Sequence, residues 1–179
     1  DHLDLHSFPT RRSSDLNRLS KKKCEIMAMI EFKSIQLNDC DLLFDWANEP
    51  EVRENSFSKK KIEYEGHCKW FSSIIKSENS RIYIAYIHNI PIGQIRIDIE
   101  SKIGIISYSI AKEHRNKGYG TQLLLLIKDL VRKEGINIQK LLGKVTPSNF
   151  KSQKAFEKAK FQKLQLSDYV EYSKNIMDE

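Results

Sequence analysis

The sequence predicts an α+β domain: a central mixed β-sheet with helices on both faces. Three observations predict it. Short runs rich in isoleucine and tyrosine have the composition of strands. Between them lie segments whose apolar residues recur at spacings of three and four, the signature of an amphipathic helix. From Ile30 onward the two kinds follow the order β-α-α-β-β-β-α-β-α-β-β, without internal repeats or low-complexity linkers. At 179 residues and 20.9 kDa the chain is most simply one domain with room for a real core.

The first strand is expected over Ile30 to Leu37, where IEFKSIQL alternates. Asn38-Asp39 then offers an N-cap, and Leu42, Leu43 and Trp46 give a short amphipathic helix. Pro50 ends it, because a proline pushes the residue before it out of helical backbone. A polar segment, Glu51 to Lys60, leads into a second helix striped by Ile62, Tyr64, Trp70, Phe71, Ile74 and Ile75. Arg81 to Ile87 reads as a strand, His88-Asn89 as its turn, and Pro91 to Ile99 as the next strand. There Ile95, Ile97 and Ile99 take one face while Gln94, Arg96, Asp98 and Glu100 take the other. That polar row is either a solvent face or one wall of a substrate groove.

Ile103 to Ile110 is the fourth strand, and Leu123, Leu124, Ile127, Leu130 and Val131 mark one face of a long helix closed by Gly135. Lys140 to Thr146 is a further strand stopped by Pro147, and Asn149 to Ala159 a helix that Asn149 can cap. Phe161 to Leu164 and Tyr169 to Ser173 form a terminal hairpin around Ser167-Asp168.

The formal charge is +6 and the pI near 9.1. The excess is spread along the chain with no aromatic-interleaved basic block, so an anionic small molecule accounts for it as well as nucleic acid does. Cys24, Cys40 and Cys68 have no C-x-x-C spacing, which argues for reduced thiols and a cytoplasmic setting and against a zinc site. No apolar run approaches membrane-spanning length. The expected partner is thus a small molecule, not nucleic acid or a membrane.

The N-terminal stretch reads differently. His6 to Leu16, HSFPTRRSSDL, resembles the read-through translation of a common sequencing adapter. No periodicity is sustained up to Lys23, and Met27 or Met29 would be a natural start. Residues 1–26 are therefore expected to be a non-native or disordered extension to a domain over 29–175. With six Lys and Arg against four Asp and Glu, they leave the remainder at +4.

The chemistry centres on Ile103 to Glu134, a strand, a charged turn and a helix. The turn is Arg115-Asn116-Lys117-Gly118-Tyr119-Gly120. The first N–H groups of a helix lack intrahelical partners, and the helix dipole adds partial positive charge there. Glycines at 118 and 120 let a ligand approach the backbone, and Arg115 and Lys117 add full charge. The physical reading is a diphosphate cradle. A dinucleotide fingerprint would need a glycine where Leu123 stands, and a P-loop would need a Gly-Lys-Ser/Thr ending. What Arg115, Gly118 and Gly120 do resemble is the R-x-x-G-x-G/A signature of the GNAT superfamily, the acetyl-CoA-dependent N-acetyltransferases. The element order over Ile30 to Ser173 is also the one those folds show.

That resemblance implies a site. It places pantetheine in a wedge between the strands Ile103–Ile110 and Lys140–Thr146, near Ser109 and Ile110. It places the diphosphate on the backbone of Asn116, Lys117, Gly118, Tyr119, Gly120 and Thr121, with Arg115 alongside. Asn149 and Ser152 match a second family pattern beside the cofactor. The cofactor implied is acetyl-CoA as acetyl donor, with no metal. Where the family carries a tyrosine able to protonate the leaving thiolate, this chain has Phe156, and Lys160 stands where a glycine is usual. Asp98 is then the first choice for a base, through a relay water, and Tyr108 is either core packing or a proton donor. A non-catalytic acyl-CoA-binding module is the alternative that Phe156 raises.

For the acceptor, Trp46, Asn48, Pro50, Val52, Arg53, His67, Trp70 and Phe71 resemble a subgroup acting on nucleotide-linked amino sugars, as in the pseudaminic acid route. A similar opening occurs in ribosomal-protein N-terminal acetyltransferases. The resemblance implies substrate contacts from Arg53, Asn55, Ser56, Phe57, His67 and Arg96, with Arg53 and Arg96 suited to a diphosphate. A basic pocket would favour a UDP-linked deoxyamino sugar; a negative or neutral groove would favour a peptide α-amine. Oligomeric state stays open, a homodimer included.

Overall fold

A computed structural model of the protein describes residues 29–177. The adapter-like string, Cys24 and the expected extension over 1–26 lie outside the described residues. Seven strands form one sheet in the order β1-β2-β3-β4-β5-β7-β6. They are β1 (Ile30–Ser34), β2 (Ser80–Ile87), β3 (Ile90–Glu100), β4 (Ile103–Ile110), β5 (Lys140–Val145), β6 (Gln162–Gln165) and β7 (Val170–Asn175). The helices are α1 (Cys40–Asn48), α2 (Pro50–Glu54), α3 (Tyr64–Ile74), α4 (Tyr119–Lys133) and α5 (Phe150–Lys158).

Every strand pair is antiparallel except β4–β5, which α4 joins as a parallel crossover. The isoleucine face of β3 sits under α4 and α5: Ile95 and Ile97 pack with Leu123, Leu124, Ile127, Phe156 and Ala159, all buried. Each such side chain contributes about 1.5–3 kcal/mol by leaving water. The opposite face carries a smaller cluster of Ile35, Leu43, Phe71, Ile82 and Ile84 beneath α1 and α3. Helices therefore cover both faces, and the polar row of β3 faces the α1–α3 side.

Three local expectations are revised. Asp39 stands at the N-cap position of α1 without a side-chain bond into that helix. Its carboxylate accepts the Gln36 N–H at 2.7 Å as part of a capping box on the short 3-10 turn Leu37–Asp39, and the first strand ends at Ser34. Pro50 does end α1, yet it also starts α2, a helix inside the segment expected to be irregular; a proline at the first helical position loses no hydrogen bond. Ile62 precedes α3 and is held by Asn48, which donates to Ile62 O at 2.9 Å and accepts from Ile62 N–H at 2.8 Å.

Candidate active site

Strands β4 and β5 pair only from Ile103↔Lys140 to Ile106↔Gly143. Beyond that register they part, while β4 stays paired with β3 to Ile110 and β5 with β7 to Val145. The edge of Ser107 to Ile110 is thus left without its sheet partner. Exposed strand-edge N–H and C=O groups can take the amides of a ligand.

A cleft of about 410 Å³ runs from this opening to the start of α4 and along α5. It is lined by Tyr108, Ser109, Ile110, Arg115, Asn116, Gly118, Tyr119, Gly120, Thr121, Asn149 and Ser152, with Glu51, Lys151, Lys154 and Lys158. Asn116 and Gly118 both have left-handed backbone, φ 60° and 84°, the kind of turn in which successive N–H groups can form an anion-binding concavity, and both line the cleft ahead of α4. A Cβ at Gly118 would meet nothing within 4 Å, so this glycine supplies conformation above open space. Gly120 does something else. A Cβ there would lie 3.0 Å from Tyr108 Cε2 and 3.4 Å from its hydroxyl, so the missing side chain makes room for Tyr108.

Two expected cradle cations do not serve the cradle directly. Lys117 lies outside the cleft lining and donates to Glu113 O at 2.9 Å. Arg115 donates from Nε to Ile110 O at 3.0 Å, from Nη1 to Glu51 at 2.8 Å, and from Nη2 to Glu49. Hydrogen bonding to Arg115 holds the Glu49 carboxyl below its usual range; for Glu51 the Lys151 ammonium is the larger cause. The remaining cleft cations come from one face of α5. Lys151 pairs with Glu51, and neither Lys154 nor Lys158 lies within ion-pair distance of a carboxylate among the described residues. Their spacing of three and four along α5 was the available sequence signal.

A second cleft of about 500 Å³ opens on the α1–α3 side of the sheet. All six expected acceptor contacts line it: Arg53, Asn55, Ser56, Phe57, His67 and Arg96. Trp46, Trp70, Gln94, Ser107 and Lys144 join them, and no Asp or Glu does. Arg53 donates to Ser58 O, Lys60 O and Ser56 Oγ, while its Nε is buried without a partner. Arg96 lies over the Trp70 ring, 5.9 Å from its centroid, and Lys144 lies 5.1 Å from the Tyr169 centroid. Lys144 carries no sequence signal of its own, since nothing in the strand's composition marks which face meets a cleft.

Two expectations are corrected here. Asp98 lines neither cleft. It sits opposite Ser80, accepts that hydroxyl, and pairs with Arg96 Nε at 2.9 Å, which removes it from the reacting centre. His67 is only 3 % exposed, bonded through Nε2 to Cys40 O at 3.0 Å and packed among Phe44, Trp70 and Phe71. It builds the wall and offers a ligand almost no surface.

The two clefts share Val52, Asn55, Ser56, Tyr108, Ser109, Asn149 and Ser152. Among these the one titratable side chain is Tyr108. Its hydroxyl lies 3.2 Å from Ser152 Oγ, and burial pushes its pKa up to about 12, so the proton stays on at neutral pH. Ser152 is fixed in turn, its N–H donating to the Asn149 cap at 3.1 Å. Phe156 lines the acceptor cleft as well, with its ring edge-on to Tyr108 and stacked on Tyr172, centroids 4.9 Å apart, and it has no proton to give.

A profile of the Acetyltransferase (GNAT) family matches residues 40–161. A search of curated protein sequences found no match. Among solved structures, spermidine N-acetyltransferase from Vibrio cholerae, in complex with CoA and spermine, superposes with a TM-score of 0.74 at 14 % identity, covering 83 % of this chain and 96 % of that one. Aminoglycoside acetyltransferase AAC(6')-Ib, with coenzyme A and kanamycin, gives 0.69 at 17 % identity over 82 % and 94 %. The RimL ribosomal alpha-N-protein acetyltransferase, with coenzyme A, gives 0.71 at 14 % identity over 82 % and 94 %. At such identities the likeness speaks for the fold, while the profile spans most of the domain. The chain belongs to the acetyltransferase (GNAT) family.

Proposed function

We propose that the protein transfers acetyl from acetyl-CoA to the primary amine of an anionic small molecule, a UDP-linked deoxyamino sugar. One observation carries the acceptor reading. The acceptor cleft presents Arg53, Arg96 and Lys144 and no carboxylate in its lining. A polyamine or an aminoglycoside is a polycation. Arg53 and Lys144, neither ion-paired with a carboxylate among the described residues, repel it, while Arg96 shares its charge with Asp98. A diphosphate reverses that sign, and Trp46 and Trp70 offer apolar faces for a sugar ring. A peptide α-amine is the second reading, and nothing in the lining calls for its positive end.

The donor cleft suits acetyl-CoA on three counts: the backbone N–H groups of the left-handed turn and the start of α4 for the diphosphate, the unpartnered edge of β4 for the pantetheine amides, and Lys154 and Lys158 for further phosphate charge. The two clefts meet at Tyr108, so thioester and amine are brought together without a covalent enzyme intermediate. The amine nitrogen bonds to the acetyl carbon, the C–S bond breaks, one proton leaves the nitrogen and the thiolate gains one. No carboxylate of the acceptor cleft acts as base. A cationic pocket instead lowers the pKa of a bound ammonium, raising the fraction of free amine, and its proton leaves to solvent. Tyr108 donates a hydrogen bond, and then its proton, to the departing sulfur and regains a proton from solvent.

The test is CoA release by the full chain with acetyl-CoA and four amines: a UDP-linked amino sugar, a ribosomal-protein N-terminal peptide, spermidine and kanamycin. Turnover confined to the sugar nucleotide is expected. Preference for spermidine or kanamycin would refute the electrostatic argument, and preference for the peptide would select the second reading. Tight acetyl-CoA binding with no turnover on any amine would favour a binding module.

A further inference from the structure

The arginine of the cradle motif lines the donor cleft yet commits its guanidinium to protein. All three guanidinium nitrogens of Arg115 bond to protein: Nε to the last carbonyl of β4, Nη1 to Glu51 and Nη2 to Glu49. Its side chain is 16 % exposed and that of Glu49 19 %. Glu51 continues the chain of charge, accepting Lys151 of α5 on its other oxygen at 2.8 Å. One short helix, α2, is thereby tied to the end of β4 on one side and to α5 on the other.

Without those ties α2 has little to hold it. It is five residues long and contains no buried residue. A helix of that length does not persist on its own backbone bonds. The chain after it, from Asn55 to Glu63, has no regular structure, and 57–61 are exposed. From the C-terminal half of the sheet only Thr146 Oγ1, 3.4 Å from Asn55 O, and the Tyr169 ring, edge-on to Phe57 at 6.3 Å, are seen to reach this stretch. Its other ties are local polar ones, among them those from Arg53 to Ser58 O and Lys60 O and from Asn48 to Ile62. Yet Val52, Asn55 and Ser56 line both clefts. A segment with no buried residue in its helix thus forms the roof over the place where donor and acceptor meet.

We propose that Arg115 is a positioning residue for the acceptor side, holding α2 and Asn55–Phe57 as the roof shared by both clefts, and is not a ligand of the diphosphate. This rests on the transferase reading for the identity of the two clefts, and on the geometry alone for the tie itself. Cutting one charge-assisted bond at a partly buried pair loosens what it held by roughly tenfold.

The deciding variant is Glu49→Gln, since Glu49 lines neither cleft. A diphosphate-binding Arg115 would be released from its competitor, and acetyl-CoA would bind more tightly. A tie predicts the reverse pattern in the full chain. Amide hydrogen exchange over 50–57 speeds up about tenfold, the acceptor KM rises about tenfold, and the acetyl-CoA Kd stays within twofold. Arg115→Gln, which also cuts the Glu51 bond, should speed exchange at least as much as Glu49→Gln, the double variant should be no worse than Arg115→Gln, and Arg115→Lys should restore part of the protection. Unchanged exchange over 50–57, or tighter acetyl-CoA binding in Glu49→Gln, overturns the proposal. The exchange measurement needs no acceptor, so absence of turnover on every amine would sink the transferase reading while leaving the tie separately decided.

Discussion

The two glycines of the turn should separate on substitution, because they meet different neighbours. Gly118→Ala puts a Cβ into open space but onto a left-handed backbone at φ 84°. That costs about 1–2 kcal/mol, relieved when the turn abandons the left-handed conformation in which its N–H groups can form an anion-binding concavity. Acetyl-CoA binding is expected to weaken by about tenfold, with kcat at saturation little changed. Gly120→Ala lies within α4, where alanine gains up to about 1 kcal/mol of helix propensity. Its Cβ, however, stands 3.0 Å from Tyr108 Cε2, several tenths of an ångström inside ordinary carbon contact. The ring must yield, and it is bounded by Phe156, with centroids 5.9 Å apart, and by Ser152 at 3.2 Å. A shift of about half an ångström takes the hydroxyl out of hydrogen-bond range. Stability should therefore change by less than about 1 kcal/mol, while kcat falls about tenfold to a hundredfold at unchanged acetyl-CoA Kd. Calorimetric Kd, kcat by thiol release and thermal unfolding check the pair. Wild-type kcat in a folded Gly120→Ala protein would refute the placement of Tyr108 at the reacting centre.

Other outcomes follow from the same geometry. Tyr108→Phe keeps the ring and removes the proton, so kcat should fall about a hundredfold with the acetyl-CoA Kd within twofold, read by single-turnover CoA release. Lys144→Ala removes one of the two acceptor-cleft cations that lack a carboxylate partner among the described residues and should raise the KM for a sugar nucleotide about tenfold, with an effect that shrinks as salt is raised. Asp98→Asn should leave the shape of the pH–rate profile unaltered, because Asp98 lines neither cleft. Glu49 and Glu51 have folded-state pKa values below the ordinary value of 4.5. The stability they lend is present above about pH 4.5 and is lost as the pH falls through their lowered folded values. Urea midpoints should drop over that acid window, and drop less in Glu49→Gln.

The periodic parts of the fold were legible because burial enforces periodicity. Ile95 and Ile97 alternate since one face of β3 meets α4, and Leu123, Ile127 and Val131 recur since one stripe of α4 meets the sheet. The short helix α2 was not legible, because ion pairs hold it and leave no apolar stripe to read. The site divided in the same way. Backbone features survive as sequence punctuation, so the turn at Asn116 to Gly120 and the Asn149 cap could be found. The direction of a charged side chain leaves no such mark. Arg115 sits in the expected motif with its charge turned toward Glu49 and Glu51, sixty-odd residues earlier, and Asp98 sits on the expected face one register beyond the cleft.

Phe156 gives the sharpest test of whether a motif departure is a lost function or a different design. Where the related pattern carries tyrosine, the simple remedy would be to restore the hydroxyl. The ring argues against it. Phe156 is 2 % exposed and stacked on Tyr172 at 13°, and its tip points at β5, where a Cβ at Gly143 would stand 2.4 Å from Phe156 Cζ. The para position that would carry the new oxygen thus faces backbone, so glycine at 143 and phenylalanine at 156 fit each other. Phe156→Tyr should destabilise the protein by about 1–3 kcal/mol, from overpacking and a buried hydroxyl in search of a partner. It should bring no gain in kcat and no rescue of Tyr108→Phe, because its oxygen is held away from the sulfur. A Phe156→Tyr protein that restores turnover to Tyr108→Phe would show that the tip of this ring can swing into the cleft, and the division of roles between 108 and 156 would fall.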